Sequence, residues 1–83
     1  MSIKIQKLKK RDFLILLGKR IRQLREEKNI SQTELGNLCD IERSNMNRIE
    51  AGNTNPSSFL LYTIAQKLQV EASELLNFKS LSK

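Results

Sequence analysis

Apolar residues enter this chain in bursts with helical spacing. At about 100° per residue, Phe13, Leu14, Leu17, Ile21 and Leu24 share one stripe about 100° wide. The spacing predicts a first helix from Asp12, a good N-cap, to about Lys28. Ile15 and Leu16 fall off the stripe, so the far side of this helix end needs a cover. Phe78 and Leu81 are assigned to it. They form an apolar patch with Ile15 and Leu16 that either folds the tail back over the helix or joins two subunits.

Further along, the punctuation is explicit. Ser31-Gln32-Thr33-Glu34 has the form of a capping box, in which Ser31 accepts from the backbone of Glu34 and the carboxylate reaches back. A short second helix follows, about Gln32 to Cys39, stopped at Asp40. A third covers about Glu42 to Ala51 and is closed by Gly52, at a position where a left-handed backbone costs nothing. Ser57 caps a fourth helix that turns Leu60, Leu61, Ile64, Ala65 and Leu68 inward. A fifth short helix, about Glu71 to Asn77, is expected to bury Leu75 and Leu76. Nothing reads as a strand. The chain divides into a basic lead-in over residues 1–11 (an arm or the start of the first helix), a helical domain over 12–78 and a tail over 79–83.

The third helix is the odd one. Glu42, Asn45, Met46 and Ile49 share one arc of about 100° with Met46 and Ile49 as its buried part, while Arg43, Ser44, Asn47, Arg48 and Ala51 fall on the opposite side. Arg43 and Asn47 stack at i, i+4, as do Ser44 and Arg48. Those side chains have the chemistry that reads base edges. Arginine forks onto guanine N7 and O6, asparagine pairs with adenine N7 and N6, and serine donates or accepts. Two short helices joined by a turn of about three residues form the helix-turn-helix geometry, which sets a second helix into the major groove.

Charge strengthens this reading. The 83 residues carry a net +6, but residues 1–28 hold ten Lys/Arg against three acids, whereas residues 29–83 hold five against six. The cations therefore belong to the N-terminal third and call for an anionic partner. The lead-in Lys4–Arg11 is read either as an arm reaching DNA, with salt-dependent affinity, or as a disordered solubilising tail. "KLKKRDFLILLGKR" superficially resembles a secretory leader, yet its apolar run, Phe13–Leu17, is shorter than the roughly 7 to 15 residues such a core needs. It is also far short of the roughly 20 that span a membrane. A cytoplasmic protein without membrane contact is expected. Cys39 is the single cysteine and there is no histidine, so neither an internal disulfide nor a zinc site is expected. No cofactor is implied, and no nucleophile–base pairing or phosphate loop points to an enzyme.

The stretch "IRQLREEKNISQTELGNLCDIERSNMNRIEAGNTNPS" resembles the lambda-repressor and Cro type of helix-turn-helix, also called the XRE family. The resemblance covers about residues 18–76 and rests on a correlated series: Arg25, Ser31-Gln32, Leu35, Ile49-Glu50, Gly52, Pro56 and Leu75. It implies an all-α, compact five-helix domain that binds double-stranded DNA as a homodimer and regulates transcription, usually as a repressor reading a palindromic operator. By position, Arg43, Ser44 and Asn47 match base-contacting residues and Arg48 lies at the groove margin, where a phosphate is an equal target. Gln32 matches a glutamine that bonds a backbone phosphate and braces the recognition helix. Asn53 and Asn55 match loop residues that touch the sugar-phosphate backbone, although a bare turn uses asparagine too. Arg25 and Glu50 match an internal, structural ion pair.

Three positions depart from the family pattern: Asp40 replaces a turn glycine, Gly36 a helical alanine, and Glu42 a Ser/Thr cap. Gly36 costs about 1 kcal/mol in helix propensity. Cys39 reads as a small buried hydrophobe rather than a redox sensor. An autonomous chain of this kind resembles small phage regulators, restriction-modification controllers or antitoxins. From another class, Glu42 and the uncharged Asn53/Asn55 loop suit a protein-interaction module or antitoxin-type partner with secondary DNA binding.

Overall fold

The computed structural model describes residues 7–82, so residues 1–6 of the expected basic arm and Lys83 lie outside it. Four α-helices follow one another, α1 (Lys10–Glu27), α2 (Gln32–Leu38), α3 (Arg43–Glu50) and α4 (Ser58–Leu68). Two short 3-10 segments, Ala72–Leu76 and Phe78–Ser82, complete the chain, and no strand occurs among the described residues. The fold is all-helical, with 3-10 turns where the fifth α-helix was expected.

The first helix starts earlier than its sequence suggests. Lys9 is the N-cap and makes no side-chain capping bond, so Asp12 sits within the first turn instead of before it. Its charge still favours the positive end of the helix dipole. The expected stripe is buried at Leu14, Leu17, Ile21 and Leu24, and Phe13 is half-buried against the same core. α1 packs on α3 with unusual intimacy because Gly18 carries no side chain. A Cβ there would lie 2.6 Å from the carbonyl oxygen of Ile49 and collide with that of Glu50.

The capping box at α2 forms as its sequence predicts. Ser31 Oγ accepts from Glu34 N at 3.0 Å, and Ser31 N donates to Glu34 Oε1 at 3.2 Å. Asp40 takes the left-handed turn position at φ 60°, a conformation aspartate tolerates better than most residues. Ile41 N then closes back on Gly36 O at 2.9 Å. Gly36 matters for this closure, since a Cβ there would stand 2.9 Å from Ile41 O. Its helix-propensity cost is the counterpart of a tight turn into α3.

Ser57 caps α4 through its bond from Leu60 N, 3.1 Å. Ile64, Ala65 and Leu68 are buried, with Leu60 and Leu61 packed half-buried against the core. The helix stops at Gln69, which is left-handed at φ 61°. Leu75 is sealed in the core, but Leu76, also expected inside, is 52% exposed. With about three residues per turn in a 3-10 segment, the neighbour of an inward residue is rotated by a third of a turn and leaves the core.

The tail folds back over α1. Phe13 and Phe78 meet edge to face with ring centroids 5.9 Å apart. Gln23 Nε2 donates to Ser80 O at 3.1 Å. Ile15, expected in one patch with Leu16, packs against Gly52, whose absent side chain would lie 2.8 Å from Ile15 Cα. Ile15 and Leu16 are half-buried within the chain, as are Phe78 and Leu81.

Candidate nucleic-acid interface

α3 turns Met46 and Ile49 into the core and leaves Arg43, Ser44, Asn45, Asn47, Arg48 and Ala51 exposed. The outward face is therefore the polar face expected from the helical wheel. Among the described residues neither Arg43 nor Arg48 takes part in an ion pair, so both guanidinium groups are available to an external acceptor. Glu42 precedes them as an extended N-cap without a side-chain capping bond, and is exposed.

Behind this face runs a chain of polar bonds. Asn47 Nδ2 donates to Gln32 Oε1 at 3.3 Å, and Gln32 Nε2 donates to Glu50 Oε1 at 2.9 Å. Glu50 in turn receives Arg25 Nε at 2.7 Å and Arg25 Nη2 at 3.1 Å. Arg25 Nη1 ends the chain on Ile30 O at 2.7 Å. Arg25 and Glu50, expected as a pair, are joined and buried, with side-chain exposures of 10% and 3%. The hydrogen bonding that Arg25 donates to Glu50 raises the Arg25 pKa above its ordinary value, against the opposing effect of burial.

This arrangement gives Gln32 a definite job. Its side chain couples the buried ion pair to Asn47, so the first residue of α2 braces the exposed face of α3. The capping bonds of α2 engage Glu34 and Leu35 and leave the N–H of Gln32 outside them.

Asn53 and Asn55 are exposed in the loop after α3, and Asn53 N is tied to Arg48 O at 2.9 Å. Gly52 makes the turn at φ 77°. The loop borders an open cleft of about 400 Å³ lined by Lys10, Arg11, Leu14, Gly52, Asn53, Thr54 and Asn55. The sequence placed Lys10 and Arg11 in a basic lead-in, either a DNA-reaching arm or a solubilising tail, without a position relative to this loop. Their placement beside this loop depends on the crossing of α1 and α3, which no local pattern reports.

A helix-turn-helix whose second helix presents an unpaired arginine-and-asparagine face, braced from α2, is the decisive arrangement. The helix-turn-helix domain family matches residues 18–81. The chain belongs to that family. Within it, the chain is of the XRE type, a class of DNA-binding transcriptional regulators. This helix-turn-helix protein is 35% identical over 68 residues to the control protein C.BamHI of Bacillus amyloliquefaciens, spanning 81% of this chain and 84% of that one. It is similar in structure to the restriction-modification controller protein C.AhdI from Aeromonas hydrophila, with a TM-score of 0.73 and 35% identity over 75% of this chain and 94% of the other. It is also similar to SinR, the master regulator for biofilm formation, in a crystal structure with DNA. There the TM-score is 0.67 and the identity 35%, over 74% of this chain and 98% of the other.

A second buried arginine escaped the sequence reading. Arg20 donates through Nε to Glu74 O and through Nη2 to Glu74 Oε1, both at 2.7 Å, and pins the first 3-10 segment to α1. A signal existed: on the helical wheel Arg20 lies beside Phe13 and Leu24, and a charge at the edge of an apolar stripe needs a partner. Its partner, 54 residues away, had no signal.

Proposed function

We propose that this protein is a transcriptional regulator that reads a palindromic operator in double-stranded DNA as a homodimer, with α3 in the major groove. The observation that carries the reading is the outward face of α3, held from behind through Gln32. Arg43, Ser44 and Asn47 read base edges, and Arg48 lies at the groove margin. Gln32, Asn53 and Asn55 meet the sugar-phosphate backbone, which positions the helix without specifying sequence. Such a protein acts as a repressor or autoregulator. A cytoplasmic site of action suits a lone buried thiol.

A dimer is supported by what one domain lacks and by what its surface offers. Tight specific binding, on the order of 10⁻⁸ M or better, normally needs two half-sites about 34 Å apart. On α4, Phe59 is 74% exposed and stacks obliquely on exposed Tyr62, centroids 6.3 Å apart. No charged residue occurs from Ser58 to Gln66. A face without charge lets two copies of a protein of net charge +6 approach without local repulsion, and it offers nothing to DNA. Replacing both aromatic residues by serine is expected to shift sedimentation from dimer to monomer while leaving the fold intact.

Selection of bound sequences from a randomised duplex library tests the whole reading. A palindrome should emerge, and Arg43→Ala should relax one base position by about 1–3 kcal/mol. Recovery of no motif, with binding that only tracks salt, would reject sequence reading. It would favour a protein-interaction module in its place.

A further inference from the structure

We propose that the cleft between the first turn of α1 and the loop after α3 seats one phosphodiester group of the bound duplex, gripped by Lys10, Arg11, Asn53, Thr54 and Asn55. The inference rests on the DNA-binding reading, which already gives Asn53 and Asn55 to the sugar-phosphate backbone, and adds to it the two cations of α1 that share their cleft. The cleft, about 400 Å³, is lined by two cations, two amides and a hydroxyl, with Leu14 and Gly52 at its back, and no acid borders it. At about 100° per residue, Lys10, Arg11 and Leu14 share an arc of about 100°, whereas Asp12 stands about another 100° round the helix. Among the described residues, neither Lys10 nor Arg11 is in an ion pair.

The two walls are packed against each other. Ile15 packs into the space left by Gly52, which joins the cation-bearing turn to the amide-bearing loop. The first intrahelical bond of α1 runs from Phe13 N to Lys9 O, so the N–H groups of Lys10, Arg11 and Asp12 form the positive end of the dipole beside the cleft. What selects a duplex rather than a free anion is continuity. Asn53 N is bonded to Arg48 O, which ties the loop and its cleft to the C-terminal end of α3, the helix that carries the base-reading face.

The test is a thermodynamic cycle between protein and phosphate. Duplexes in which single phosphates are replaced by neutral methylphosphonates are titrated by fluorescence anisotropy with the full chain and with K10A/R11A. Wild type is expected to lose affinity at one or two linkages flanking the bases, and the variant to be indifferent at those alone. The slope of log affinity against log salt should fall by about 0.9 for each subunit bound, the value for one neutralised phosphate. Base preference should be unchanged, and so should the melting temperature, because both side chains are exposed. Equal slopes, or a variant still sensitive at every linkage, would overturn the cleft and leave base reading standing. A protein that binds all duplexes alike, but whose salt slope still falls in K10A/R11A, would keep the cleft and reject the sequence reading. Absence of any duplex binding would overturn both.

Discussion

Removing the carboxylate of Glu50 is expected to destabilise this protein more than most truncations of similar size. The group is almost wholly buried and accepts three hydrogen bonds, two from Arg25 and one from Gln32. In Glu50→Ala, Arg25 keeps Ile30 O as its acceptor, but its charge stays buried without a counter-ion. Breaking a buried pair in this way costs about 3–5 kcal/mol. A domain of 83 residues has about 4–12 kcal/mol of total stability, so the variant loses a large part of it. Urea unfolding followed by circular dichroism measures the loss directly, and the melting temperature should fall by about 12 °C or more. The double variant Arg25→Met, Glu50→Leu removes both charges together and should recover most of the stability, since the desolvation cost disappears with the attraction. It should not recover DNA reading, because Gln32 loses the acceptor that fixes its hold on Asn47. A cost below about 1 kcal/mol for Glu50→Ala, or a double variant no more stable than the single one, would refute this account of the network.

Other outcomes follow from the packing. Gly18→Ala should destabilise by about 1–3 kcal/mol, because the added methyl strikes the backbone of α3; helix propensity alone predicts the opposite sign, by about 1 kcal/mol, so chemical denaturation decides between them. Met46→Ala should cost about 2–5 kcal/mol, as it empties a fully buried position beneath the outward face of α3. Burial pushes the Cys39 thiol above its ordinary pKa, with Lys67 pulling the other way. A raised folded pKa means the thiol's contribution to stability is complete below the unfolded value, about 8.5, and is lost as pH rises through the folded one. Wild type should therefore weaken more steeply than Cys39→Ala across that alkaline range in urea titrations at stepped pH. Parallel curves would show that the thiol does not contribute.

The local devices of this fold were legible because each depends on residues close in sequence. The capping box at Ser31 and Glu34, the cap at Ser57, the turn at Gly52 and the inward pair Met46 and Ile49 all follow from rules spanning one or two turns. The arginines and asparagines facing out of α3 were legible for the same reason, since a helix with two buried apolar residues has only one possible inward side. The Arg25–Glu50 pair was legible through family resemblance alone. Tertiary structure decided the rest. Helix propensity treats Gly36 as a liability, yet the turn closes against it, and Gly18 is explained only by the backbone of α3 lying across it. Leu76 follows the apolar pattern of its neighbour, but the 3-10 winding turns it to solvent. Arg20 finds Glu74, Phe13 finds Phe78, and Lys10 and Arg11 come to stand beside Asn53 and Asn55 only after α1 has crossed α3. Periodicity fixes which side of each helix is apolar, because that depends on angles along a single axis. It cannot fix which surfaces meet, because that depends on the placement of several axes at once.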